Sequence, residues 1–260
     1  MVNDPQALGA YLQERCSYIR RTKADVNYDG EEPNKIVHTI GFDKKAIDDM
    51  QDRAKVLAHS VLQGAFVERG QASRELSIMV RKATGVSKAK YVAEYVRMIL
   101  QNDEKVLLAV WHREVYDIIT EELREYNPVW YSGTENEKQK NTSKEKFISG
   151  ESKVMLISLR SAVGLDGLQQ HCSYVVFGEF DWTGAMHEQV IGRLDRYGQT
   201  KQVTAIFLAS DSGSDPIVMD IIGMKKSQQD GILNPFGKKT KQESDDTIVK
   251  SFAKKLLNVK

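Results

Sequence analysis

Apolar residues recur along the chain at two spacings, and the change falls near residue 105. Before it, Ile47, Met50, Ala54, Leu57, Ala58, Val61 and Ala65 follow one another every three or four positions. That spacing predicts an amphipathic helix rather than a strand. Asp43 is placed to cap it, and Gly70 to end it. A second helix is expected to run to about Thr84, with Gly85 as its stop. Ser87 is then expected to cap a third, with Val92, Tyr95, Val96 and Ile99 on one face. Residues 1–85 therefore read as a helical and irregular N-terminal segment.

From Lys105 short apolar runs alternate with helical patterns. Strands are expected over 106–111, 129–131, 153–158, 174–179 and 203–208. Helices are expected over 114–125, with Val115, Ile118, Ile119 and Leu123 inward, then over a polar stretch ending near Phe147 and Ile148. Two more are expected over 185–196 and 215–226. Continuously apolar strands belong to parallel sheets covered on both faces. Strand-then-helix repetition implies a right-handed, doubly wound parallel sheet. Residues 86–236 form this α/β unit in the sequence reading. Residues 237–260 are polar and then amphipathic at Ile248, Val249, Phe252, Leu256 and Leu257. That tail fits a helix docking back on the unit or meeting a partner. In an open α/β sheet ligands gather at the strand carboxyl ends.

Composition narrows the chemistry. The 260 residues are 41% hydrophobic and 28% charged, ordinary for a globular protein, and the formal net charge is +1. Any nucleic-acid contact must then come from a local patch. No apolar run is long enough to span a bilayer, and no membrane partner is expected. The first residues lack the basic and apolar regions of a signal peptide. Cys16 and Cys172 make neither a disulfide framework nor a metal pattern, which points to the cytoplasm. His187-Glu188 opens like a zinc motif, but position 191 is Ile, so no metal site is expected. Gly178, Gly184 and Gly192 do not form a dinucleotide fingerprint.

The most informative segment runs from Gln189 to Gln199, with the form Q-x-x-G-R-x-x-R-x-G-Q. On a helix, Gln189, Arg193 and Arg196 would share one face. The arginine fork matches phosphate oxygens and is always charged. This segment resembles motif VI of superfamily-two helicases, and specifically of Swi/Snf-type DNA translocases. Upstream, Glu179-Phe180-Asp181-Trp182 resembles that family's acidic turn after a strand. Residues 156–169 are similar to motif V and residues 105–115 to motif IV. Arg20-Arg21-Thr22-Lys23 resembles the basic stretch that ends the first motor lobe. The five blocks stand in the family's order over roughly residues 15–210. Phe180, where Leu is commoner, and Trp111, where the annealing-helicase branch tends to have His, depart from the pattern.

The resemblance implies the second RecA-like lobe of an ATP-dependent double-stranded DNA translocase, with an N-terminal helical protrusion. No phosphate-cradling G-x-x-x-x-G-K-[ST] and no acidic Mg²⁺ motif occur in the chain. ATP and Mg²⁺ would be held mainly by a first RecA-like lobe, in the same or another chain. The chain is thus expected to be a fragment or one subunit of a split motor, inactive alone. By the same resemblance Arg196 is the arginine finger, Arg193 a second contact, and Gln189 orients water or the γ-phosphate. Gly164 and Asp166 would approach the nucleotide sugar. His112, Arg113, Ser158, Arg160 and Ser161 would hold DNA phosphates without reading bases. The residues also fit a strand-separating or annealing lobe, or a stand-alone module that binds nucleic acid or a partner.

Overall fold

The computed structural model describes residues 4–15, 30–161, 164–220, 253, 254 and 257. Six strands make its sheet: β1 (Asn34–Thr39), β2 (Val106–Val110), β3 (Val129–Tyr131), β4 (Val154–Ser158), β5 (Tyr174–Phe177) and β6 (Thr204–Ala209). All pair parallel, in the order β1-β6-β5-β2-β4-β3. This is the parallel α/β sheet that the alternation of patterns predicts, in the RecA-like form that the resemblance implies.

Every residue of β2 is buried, because helices cover both faces. On one face Leu107, Met155, Phe177 and Phe207 pack with Phe147 of α6 (Glu137–Ser149) and Val190 of α7 (Gly184–Ile191). On the other, Leu108, Leu156, Val176 and Ile206 pack with Val92 and Val96 of α4 (Phe66–Gln101) and Ile119 of α5 (Arg113–Glu122). Each such side chain contributes about 1.5–3 kcal/mol on burial. Among the described residues no helix is long and apolar enough to cross a membrane.

The N-terminal segment departs from its sequence reading. It supplies β1, which pairs with β6 from Asn34↔Thr204 to Thr39↔Ala209. The sheet therefore begins well before residue 86. The break expected at Gly85 is absent too: α4 runs unbroken for 36 residues. Gly85 is there for space. A Cβ on it would lie 2.5 Å from Glu179 Oε1 and 2.9 Å from Val115 Cγ2. Ser87 caps nothing, and its hydroxyl donates to the Thr84 carbonyl at 2.8 Å. Asp43 does cap, accepting from Lys45 N at 2.9 Å, but the helix it opens is the short α2 (Lys44–Asp48). The long apolar pattern belongs to α3 (Gln51–Gln63), which ends at Gly64, and Gly70 lies inside α4.

Helix α3 and the first half of α4 form a hairpin with its own core, in which Ala54, Ala58 and Val61 meet Ala72, Leu76 and Val80. Ala253 is fully buried in that core, and Leu257 packs against it. Of the C-terminal segment, Ala253 and Leu257 thus meet the hairpin core. A buried ion pair fastens α4 to the end of β6. Lys88 Nζ donates to Asp215 Oδ2 at 2.7 Å and to the Leu208 carbonyl at 2.6 Å, and Ser210 N donates to the same carboxylate oxygen at 2.9 Å. A helical stretch over 215–220 follows. The expected continuation to 226, the basic stretch 20–26 and most of the tail lie outside the described residues.

Candidate functional site

At the carboxyl edge of the sheet, β2 runs into Trp111-His112-Arg113. Glu179, two residues past the end of β5, reaches under this turn. Its Oε2 accepts from Trp111 N at 2.7 Å and from His112 N at 2.9 Å, while Oε1 lies 2.5 Å from His112 Nδ1. The carboxylate is only 4% exposed. These contacts give both oxygens of the buried carboxyl group a partner. The bare backbone of Gly85 is what gives the carboxylate room.

Arg113 opens α5 and lies 4.1 Å over the Trp130 ring, whose Nε1 donates to Thr120 Oγ1 at 2.8 Å. Arg113 also pairs with Asp117 at 3.2 Å. Arg160, past the end of β4, lies 4.8 Å over the Trp111 ring. Ser158 ends β4 opposite Val110, and Ser161 N donates to its carbonyl at 2.9 Å, closing the turn. Parallel pairing of β2 with β4 therefore brings His112, Arg113, Ser158, Arg160 and Ser161 to one stretch of edge.

The arginine segment is shaped differently from the helix expected over 185–196. Helix α7 ends at Ile191, and Gly192 follows as its C-cap. Arg193 N then donates to the Val190 carbonyl and Leu194 N to the Ile191 carbonyl, both at 3.0 Å, so the chain tightens into successive turns. Leu194 is fully buried and anchors them. Gly198, at φ +90°, completes a left-handed turn that continued helix would forbid. Gln199 Nε2 donates to the carbonyls of Cys172 (3.0 Å) and Leu194 (3.2 Å) and fixes the exit.

Asp166 faces both arginines. Its loop is set by Gly164 and Gly167, at φ +86° and +83°, and by the buried Leu165 and Leu168. The Asp166 carboxylate contacts Arg196 Nη1, and Arg193 Nη1 lies 3.8 Å from it. Arg196 Nε donates to the Gly192 carbonyl at 2.8 Å. Arg193 is more enclosed, with its side chain 14% exposed. Its Nε is buried with no hydrogen-bond partner among the described residues. Gln189 is exposed on α7, one turn before Arg193.

Three groups with structural roles here had none assigned from the sequence. Glu179 was legible only as the start of the acidic turn after β5. Arg81 of α4 donates to the Phe180 carbonyl at 2.6 Å and lies 5.9 Å from the centre of the Trp182 ring. Burial lowers its pKa, opposed by Asp181 and then Glu179. His187 of α7 is buried against Phe177, Phe180 and Phe207. Its Nε2 accepts from Asp181 N at 3.2 Å, so α7 is tied to the acidic turn. Desolvation lowers its pKa to about 4.

Two guanidinium groups that face one carboxylate oxygen suit a phosphate, whose oxygens accept from the same forks. No group of three or more His, Cys, Asp or Glu that could hold a metal ion occurs among the described residues. Residues 87–198 match the family described as the helicase conserved C-terminal domain. Over that segment the chain is similar to a helicase C-terminal domain, and the relatives and solved structures that resemble it are of Swi/Snf type. The Drosophila melanogaster SWI/SNF-related matrix-associated actin-dependent regulator of chromatin subfamily A-like protein 1 is 24% identical over 222 residues, which are 80% of this chain and 27% of that protein. The human DNA annealing helicase and endonuclease ZRANB3 is 26% identical over 239 residues, 88% of this chain and 21% of that one. The chain thus spans about a quarter of the length of these curated relatives. Among solved structures, the Sulfolobus solfataricus SWI2/SNF2 ATPase core in complex with dsDNA superposes with a TM-score of 0.66 at 16% identity, over 98% of this chain and 56% of that one. The C-terminal part of the Fun30 ATPase domain gives 0.61 at 12% identity, over 88% and 99%. The helicase C-terminal domain is therefore carried on the fold of Swi/Snf ATPase lobes.

Proposed function

We propose that this lobe is the second half of an ATP-dependent double-stranded DNA translocase, closing on a first RecA-like lobe that holds ATP and Mg²⁺. The observation that carries the reading is the arginine pair: Arg193, whose buried Nε has no hydrogen-bond partner among the described residues, and Arg196 beside it, on turns held by Leu194 and Gln199. ATP supplies the γ-phosphoryl group to be transferred. Arg196, the finger, and Arg193 place fixed positive charge where negative charge develops, and they need little rearrangement to do so. Asp166 holds that charge until a phosphate replaces the carboxylate. Gly164 leaves the nearby backbone open to close approach, since a Cβ there would meet nothing within 4 Å among the described residues. Gln189 orients the attacking water. His112, Arg113, Ser158, Arg160 and Ser161 grip backbone phosphates, which is the sequence-independent contact a translocase needs.

The test is phosphate release. This chain alone is expected to show no DNA-stimulated hydrolysis. Mixed with a separately purified first lobe of a Swi/Snf-type ATPase, duplex DNA and ATP·Mg²⁺, it is expected to raise turnover above that of the first lobe alone. Turnover of about 1–100 s⁻¹ by this chain alone would overturn the half-motor reading, as would a completed mixture that DNA fails to stimulate.

A further inference from the structure

We infer that Trp111 and Trp130 are positioning residues for DNA: each holds one arginine rigid at the sheet edge, so that the two guanidinium groups meet the backbone already ordered. The inference rests on the DNA path proposed above and adds to it the residues that shape the path. Three consecutive residues after β2 carry the arrangement. Trp111 supports Arg160, which comes from the end of β4, at 4.8 Å. His112 is fixed by Glu179. Arg113 rests on Trp130, which belongs to β3, at 4.1 Å.

The two tryptophans are themselves anchored on opposite faces of the sheet. Trp111 packs on the core that contains Leu107 and Met155, and Trp130 on the core that contains Leu108 and Leu156. Trp130 is held further by its bond to Thr120 and by an edge contact to Tyr116 at 5.3 Å. The arginines they carry stay open to solvent, with the Arg113 side chain 62% exposed. A guanidinium stacked over an aromatic face keeps its N–H fork free at the rim, and the stack opposes the rotation of a long side chain. The ion pair from Arg113 to Asp117 cannot do the same, because both side chains are exposed and such pairs are weak. The third tryptophan shows the contrast. Arg81, beside Trp182, is half-buried and donates to the Phe180 carbonyl, so it serves the internal packing of α4.

Counting phosphates and ordering side chains leave different marks on binding. Loss of a phosphate contact flattens the dependence of log affinity on log salt by about one unit. Loss of ordering weakens binding at an unchanged slope, by about two- to tenfold for one side chain. The experiment is fluorescence anisotropy of the full chain on two unrelated duplexes over a low-salt series, with thermal melts of every variant. Arg113→Ala and Arg160→Ala are expected to flatten the slope. Trp130→Leu and Trp111→Leu are expected to weaken binding with the slope kept, and Trp130→Phe and Trp111→Phe to recover part of it. In the Arg113→Ala background, Trp130→Leu is expected to cost nothing more, and Trp111→Leu likewise in the Arg160→Ala background. Additive losses in these two cycles would mean that the tryptophans act only through stability, and would overturn the inference while leaving the DNA path intact. Arginine variants that bind as well as the parent would overturn the path and the inference together.

Discussion

Asp166 contacts Arg196 across the mouth of the motif VI turns, and the pair is half open to solvent. An exposed ion pair contributes little to folding, about 0–1 kcal/mol. The contact therefore matters for where Arg196 points rather than for the stability of the lobe.

Arg196→Ala is expected to lower DNA-stimulated turnover of a completed motor by roughly 10³–10⁵, with the melting temperature of the lobe nearly unchanged. Steady-state phosphate release and a thermal melt measure both halves. A variant that turns over like the parent, or one that does not fold, removes Arg196 from the role of finger. Asp166→Asn is expected to leave the melt equally unmoved.

His187 predicts an acid-side loss of stability. Its pKa is 6.5 as the ordinary value and about 4 in the folded lobe, where burial disfavours the charged ring. Below pH 6.5 the unfolded chain takes up a proton that the folded chain refuses, so stability falls as pH drops from 6.5 towards 4, then levels. The loss attributable to this one group is on the order of 3 kcal/mol. Urea unfolding between pH 7 and 4 is expected to show it, and His187→Phe to flatten that limb. An unchanged acid limb in His187→Phe would show that other groups carry it.

Gly85→Ala is expected to destabilise although alanine is the better helix former by about 1 kcal/mol. The new Cβ would meet Glu179 Oε1 at 2.5 Å and Val115 at 2.9 Å. Glu179 cannot swing aside without releasing Trp111 N and His112. Overpacking of this kind costs about 1–3 kcal/mol, readable as a lower urea midpoint. A stabilised variant would show that the carboxylate is free to move.

Lys88→Met would leave Asp215 buried without its cation. Breaking a buried pair costs about 3–5 kcal/mol. The double variant Lys88→Met with Asp215→Asn is expected to recover much of that loss, because no orphaned charge remains. Chemical denaturation of the two variants decides it; equal losses in both would mean that the contact of the Lys88 ammonium with the Phe180 ring, at 4.2 Å, outweighs its pairing with Asp215.

The sheet was legible because β2, β4, β5 and β6 are buried on both faces and read as unbroken apolar runs. Strand β1 was not, because all six of its residues are exposed and Ile36 and Val37 make too short an apolar run to register. Glycines misled in two ways. Gly85 resembles a helix stop but is a packing contact, which depends on Glu179 almost a hundred residues later. Gly192 was passed over as helical, yet the chain leaves α7 there. The candidate residues were legible by type and order. Their partners were not, since Asp166 with Arg196, Glu179 with His112 and Trp130 with Arg113 meet only after the strands pair.

The unbroken α4 gives the molecule a lever. At 1.5 Å per residue it extends about 28 Å from Phe66 to Gly85 and about 24 Å onward to Gln101. Its outer arm is clamped by α3 in the hairpin core, and its inner arm lies along the sheet. Between the arms sits Gly85, touching the carboxylate that holds His112. A load on the hairpin tip is thus borne at a fulcrum directly beneath the Trp111-His112-Arg113 turn.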